Sequence, residues 1–224
     1  MTQSASAVRS DRRPSAPVLR LCLVVGGLTW IPARWGVMTT WDTTWLGMGY
    51  VGWNRLMVVP LTLLVAGCLL ATRTRSRRRT RVSWGTVTVG FVAALLGVLV
   101  EFVVGGGLRG GPPLLAMAGW GLYLAGTTIA GLGACVAAVL EGLDRAGPRR
   151  AARALSLGLA GVSMLAWPVL MITGSDEAAV VDQLIVGAAW ALVGLAAAAR
   201  SEPARRGGAR AIPVQPSSDR VTGP

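Results

Sequence analysis

The sequence predicts an all-α fold: a polytopic transmembrane bundle of six spans with both termini on the cytoplasmic side. Three observations carry that prediction. Of 224 residues, 53% are hydrophobic and only 14% charged, and the mean hydropathy is +0.56. The few charges leave six long apolar runs empty, and a charged side chain at the centre of a bilayer costs about 2.5 to 3.5 kcal/mol. The basic residues, all 22 of them arginine, then fall almost entirely on one side of those runs.

The same inventory removes much chemistry. With no histidine in the chain, imidazole acid/base catalysis, histidine metal ligation, haem ligation by histidine and a Ser-His-Asp triad are all excluded. The pattern fits one membrane domain with basic edges, at residues 18–200, between disordered tails at 1–17 and 201–224 that are rich in Ser, Pro, Gly and Arg.

The first run, residues 21–33, is thirteen residues long between Arg20 and Arg34. It spans only if both arginines snorkel to the interfaces, and Pro32 is expected to end or kink it. Preceded by Arg9, Arg12 and Arg13, it also has the layout of a signal peptide cleaved near Ala33. Ile31 and Pro32 make a poor small-residue cleavage site, so an uncleaved span is expected. The second run, 56–72, lies between Arg55 and Arg73 and again needs snorkelling. The third, fourth and fifth runs, 82–100, 110–140 and 154–175, are long enough at about 1.5 Å per residue to cross about 30 Å of hydrocarbon. The sixth, 183–199, gains length if its helix begins near Ala178 with Asp182 at the interface. No convincing repeat relates the first three spans to the last three, since Pro60 falls early in the second and Pro168 late in the fifth.

Arginine counting orients the bundle. With the N-terminus inside, nineteen of the 22 arginines face the cytoplasm and only Arg34, Arg55 and Arg109 face outward. The densest inner group, Arg73, Arg75, Arg77, Arg78, Arg79 and Arg81, is expected to attract an anionic inner leaflet, at about 1 kcal/mol for each arginine near the surface. It has no interleaved aromatics, so nucleic acid is not an expected partner. On the outer side, Trp30, Trp35, Trp41, Trp45 and Trp53 cluster where indoles prefer the headgroup level. Trp41, Trp45 and Met48 have helical spacing, which predicts a short helix lying flat on the membrane. Trp41, Trp45, Asp42 and Tyr50 form a candidate lipid or ligand site there.

Candidate chemistry rests on carboxylates. Glu101 follows nineteen uncharged residues and precedes Phe102, Val103 and Val104, a setting in which an ionisable group is a functional candidate. It is expected either to bind a proton or cation, to pair with Arg55, or simply to mark the end of the third span. Asp182, one turn inside the sixth span, can cap or pair within the bundle. Asp176, Glu177 and Asp42 match no metal loop and read as solvated outer positions, so no metal and no cofactor is expected. Cys22, Cys68 and Cys135, all within spans and without a CxxC, read as small apolar residues. Gly121 with Ala125, Gly126 with Ala130, Ala130 with Ala134, and Gly187 with Ala191 are small-xxx-small pairs that let helices approach closely, within the bundle or toward a second copy or a membrane partner.

The segment NRLMVVPLTLLVAG at 54–67, the arginine-rich turn after it, and a third span closing on Glu101 and Phe102 resemble a loosely defined group of uncharacterised bacterial six-helix integral membrane proteins. The resemblance implies the six-helix architecture and brings no activity with it. An all-arginine basic set among abundant Ala, Gly and Val points to a GC-rich bacterial genome, and hence to the bacterial inner membrane. Three functions remain: a non-enzymatic subunit, sensor or scaffold of a membrane complex, which is the leading expectation; a small transporter using Glu101, Arg55 and Asp182; and a lipid-modifying enzyme using the outer carboxylates.

Overall fold

The computed structural model of the chain describes residues 16–107, 111–143, 147–174 and 176–197. The tails expected at 1–17 and 201–224 lie outside the described residues, except that Ala16 and Pro17 open the first helix. The described chain is all-helical, with six helices long and apolar enough to cross a membrane and no strands among the described residues. They mark a multi-pass membrane protein. Span 1 is α1 (Ala16–Thr39); span 2 is α2 (Tyr50–Leu56) with α3 (Val58–Thr74); span 3 is α4 (Arg78–Val98) with a π-helical turn (Leu99–Val104). Spans 4, 5 and 6 are α5 (Pro113–Leu143), α6 (Pro148–Ile172) and α7 (Asp176–Ala197).

Each span packs chiefly on its two neighbours in sequence, and the first closes on the last, so the helices form a ring. Lipid tails are as apolar as leucine, so burial of greasy side chains cannot drive this packing; close backbone contact must. Small residues supply it at three seams, one of them Gly161 of α6 against the Gly131 carbonyl of α5. Gly27 of α1 lies against Gly187 and Ala191 of α7, and Gly90 of α4 lies against Gly126 and Ala130 of α5. Large apolar residues such as Leu28, Val89, Leu132, Val162 and Leu192 are left on the outside for lipid. Inside the ring, Trp84, Phe91 and Trp190 are fully buried and meet edge to face, Trp190 with ring centroids 5.2 Å from Phe91 and 6.4 Å from Trp84. They fill the bundle from its middle toward the arginine-rich end, where Trp84 Nε1 meets Glu141.

Several expectations are corrected. α1 is 24 residues long and runs through Pro32 instead of ending there; the proline removes one backbone bond, and the neighbouring turns hold the helix together. Arg34 therefore does not snorkel to an interface but sits inside the bundle. In the second span Pro60 has no N–H for the Leu56 carbonyl, so one bond is lost there, but Met57 stays helical: its N–H donates to the Trp53 carbonyl at 3.2 Å and the Leu61 N–H donates to the Met57 carbonyl at 3.2 Å. The flat outer helix over Trp41, Trp45 and Met48 is absent. Trp45 and Met48 exchange backbone hydrogen bonds of 3.0 Å across Leu46 and Gly47, which both have positive φ, 51° and 74°. That is a tight hairpin turn, which the glycine permits.

Candidate functional site

A cavity of about 470 Å³ opens among the tryptophan-rich ends of the spans, and all six contribute to its wall. Span 1 supplies Arg34 and Val37, span 2 Tyr50 and Asn54, span 3 Glu101 and Phe102, span 4 Trp120 and Tyr123, span 5 Trp167 and Met171, and span 6 Asp176 and Val180. This size and this mixture of aromatic wall and few polar groups are typical of small-molecule sites.

Arg34 reaches the cavity because it continues the buried face of α1, which carries Leu23, Gly26, Gly27, Trp30, Ala33, Arg34 and Val37 at helical spacing. It is 4% exposed. Its guanidinium carbon lies 5.0 Å from the Trp167 ring centroid and 5.7 Å from that of Tyr123, so two aromatic faces attract the cation. Among the described residues its one hydrogen bond is a long one, 3.9 Å, from Nη2 to the Met38 sulfur, and its buried Nε has no partner there. No carboxylate among the described residues forms an ion pair with it.

Glu101 enters from span 3. It is 3% exposed, and it stands in the π-helical turn, whose wider winding alters which side chains face the ring. The Gly105 N–H reaches the Val100 carbonyl at 2.9 Å, five residues back, and the Gly107 N–H reaches the Glu101 carbonyl at 2.7 Å. Gly119 of α5 makes the room: a Cβ there would lie 2.5 Å from the Cβ of Glu101. Glu101 Oε1 is buried without a hydrogen-bond partner. The expected pairing with Arg55 does not form. Arg55 is on the exposed side of its helix, and its Nε donates to the Phe102 carbonyl at 2.8 Å, satisfying an acceptor that the end of the span leaves open.

Asp182 is buried on α7 next to Gln183, whose Nε2 donates to its carboxylate at 3.3 Å, with Ser163 alongside and the Arg34 charge within reach. Asp176 and Glu177 are exposed, and Asp176 stands in the cavity wall. Of the aromatic outer set, Trp41 and Tyr50 line the cavity and pack edge to face at 4.5 Å. Trp45 instead stacks on Trp53 at 4.8 Å, and Asp42 lines an adjoining open hollow together with Thr43, Thr44 and the same Trp41 and Tyr50. The three cysteines are unbridged, and no group of three metal-ligating side chains occurs among the described residues.

Comparison of the chain with protein-family models, curated proteins and solved structures finds no match in any of the three.

Sequence reasoning missed Arg34, Asn54, Tyr123 and Trp167 as site residues. For Arg34 the signal was present: four residues after Trp30 and seven after Gly27, it continues a stripe rather than ending a run. It also missed Glu141, at the other end of the bundle. Glu141 is buried and binds Arg153, accepts from Arg75 Nη2 at 3.1 Å, and faces Trp84 Nε1 at 3.4 Å. Of the six loop arginines, Arg73, Arg77, Arg78, Arg79 and Arg81 are exposed, whereas Arg75 turns inward to this carboxylate.

Proposed function

We propose that the protein binds a small zwitterion with an apolar body, of the amino-acid type, in the six-helix cavity, and carries it across a bacterial cytoplasmic membrane as a permease without covalent chemistry. One observation carries this reading: a single cavity brings together a buried cation and a buried carboxylate that do not pair with each other. Each keeps an unpartnered buried atom, Arg34 Nε and Glu101 Oε1; leaving such atoms without a hydrogen bond is expensive, and a ligand with an anionic and a cationic end offsets both costs. Arg34 Nε and the unpartnered Trp167 Nε1 are donors for the anionic end; Glu101 receives the cationic end, and Trp41, Trp120 and Met171 surround the apolar body. At the other end, the Trp84–Trp190 plug and the Glu141–Arg153 pair close the ring, as a carrier facing one side requires.

The test uses phenylalanine, leucine and short-chain phosphatidylethanolamine as probes, with tryptophan fluorescence and thermal shift on the full chain in mild detergent, and uptake into vesicles. At least one probe is expected to bind and be taken up, and Glu101→Gln, which keeps the side-chain shape, is expected to weaken it at least about tenfold. Binding by none of them, or equal binding by Glu101→Gln, overturns the reading.

Orientation follows from the arginine-rich end lying in the cytoplasm. With Cys22, Cys68 and Cys135 replaced by alanine, Thr43→Cys is expected to react with an impermeant maleimide in intact cells, and Ser76→Cys only after permeabilisation. The reverse labelling would invert the bundle and place the cavity inside.

The reading as a subunit or sensor keeps one observation in its favour. Gly121 and Ala125 are exposed, and a Cβ on Gly121 would meet nothing within 4 Å, so this small-xxx-small pair lies outside the ring's own packing. Native mass spectrometry from membranes would show a second copy or a partner seated there.

A further inference from the structure

The cavity wall is thin at one seam, between α5 and α6. Deeper in the bundle the two helices meet backbone to backbone: a Cβ on Gly161 would lie 2.7 Å from the Gly131 carbonyl oxygen. Toward the cavity end two rings replace the glycines, Tyr123 and Trp167, with centroids 5.8 Å apart. Beyond them Trp120 and Met171 belong to the cavity wall and are yet 52% and 46% exposed. We propose, on the basis of the zwitterion reading of the cavity, that this seam is a side opening and that the ligand is a phospholipid headgroup of the phosphoethanolamine type, whose acyl chains stay outside in the bilayer.

The opening faces lipid. Glu141 with Arg153 marks the polar edge of the bundle at the other end, and Leu140, the last apolar residue before it on α5, is twenty residues from Trp120. At about 1.5 Å per residue that is about 30 Å, the thickness of a bilayer core, so Trp120 stands at the headgroup level where an indole is favoured. Leu114 and Met117 on α5, and Val169 and Ile172 on α6, flank the rim and are apolar and exposed, a surface for acyl chains rather than for water. A cavity of about 470 Å³ holds a headgroup but not two long chains, so a lipid bound there needs such an exit.

The polar groups follow the order in which this lipid presents its own. The Arg34 guanidinium lies over Tyr123 and Trp167, the rings just inside the rim, and Trp167 Nε1 has no partner among the described residues; both are donors for phosphate oxygens. Glu101 stands against Gly119, on the side of α5 turned to span 3, where the ammonium at the tip of the headgroup arrives once the phosphate is seated. Its Oε1 lacks a donor among the described residues. A primary ammonium brings N–H groups to it and a trimethylammonium brings none, which selects ethanolamine over choline. A free amino acid, with both charges on one carbon, makes no use of the sequence of opening, cation and carboxylate.

The full chain in mild detergent is given short-chain phosphatidylethanolamine, phosphatidylcholine and phosphatidylglycerol in turn, with leucine and phenylalanine alongside and tryptophan fluorescence as the readout. Phosphatidylethanolamine is expected to bind at least about tenfold more tightly than either other lipid, and Glu101→Gln is expected to abolish its preference over phosphatidylcholine. A second measurement needs no variant. In vesicles, phosphatidylethanolamine with a photoreactive acyl chain is expected to label α5 and α6 near Met117 and Ile172, and excess unlabelled phosphatidylethanolamine, but not phosphatidylcholine, to remove that label. Equal binding of the three lipids, a preference that survives Glu101→Gln, or label spread evenly round the bundle and not competed shows boundary lipid only and overturns the proposal. Binding of leucine or phenylalanine without phosphatidylethanolamine overturns the lipid and leaves the zwitterion reading standing; binding by none of the probes overturns both.

Discussion

Glu141→Ala is expected to cost about 3 to 5 kcal/mol of stability, the usual penalty for removing one partner of a buried ion pair. The carboxylate is 5% exposed and holds Arg153, itself 5% exposed, together with Arg75. Deleting it strands the Arg153 guanidinium and the Trp84 N–H in a space they cannot readily leave, because Arg153 is fixed on α6. The penalty belongs to the stranded cation rather than to the strength of the pair, and this gives a second, opposite result. Glu141→Leu combined with Arg153→Leu is expected to recover most of the loss, since a matched apolar replacement of a buried pair is often neutral. Denaturant or SDS unfolding of the full chain, followed by tryptophan fluorescence, measures both. A loss below about 1 kcal/mol for Glu141→Ala, the range of an exposed pair, would mean that water reaches the cluster.

The six spans were legible because the bilayer forbids charge over a length fixed by its thickness, and a bare sequence displays that directly. What escaped was the direction each side chain takes around a helix axis. Arg34 and Arg55 were treated alike, as outer arginines at the ends of apolar runs. The ring turns one inward over Tyr123 and Trp167 and the other outward onto the Phe102 carbonyl. A membrane helix is apolar on its lipid face and on its packed face, so the pattern that separates core from surface in a soluble helix is faint here. Spacing from glycine was the better guide: Gly27, Trp30 and Arg34 share a face because backbone contact at Gly27 fixes it. Glu101 stood out as an ionisable residue at the end of an apolar run, yet its inward aim depends on the π-helical turn and on Gly119, neither of which composition reveals. Arg153 was read as a topology charge because nothing in the sequence joins it to Glu141, twelve residues earlier across a turn.

Two glycines, each followed four residues later by an alanine, differ in what lies against them. Gly90→Val is expected to destabilise the bundle by about 3 kcal/mol or more, at the upper end of what overpacking costs, whereas Gly121→Val is expected to change stability by no more than about 0.5 kcal/mol. A Cβ on Gly90 would stand 2.6 Å from the Gly126 carbonyl oxygen and 2.8 Å from the Ala130 Cα. Both are backbone atoms of α5, so no rotamer change relieves the clash and the two helices must separate. Separation at that seam also withdraws Gly97 from Gly119 and Tyr123, and with it the wall that seats Glu101. Gly121, also followed four residues later by a small residue, meets no atom within 4 Å. Unfolding of the two variants under identical detergent conditions checks the contrast. If instead Gly121→Val lowers stability as much as Gly90→Val does, the exposed face of α5 is packed in the membrane against another chain, and native mass spectrometry of that variant should show the loss of a dimer or a partner.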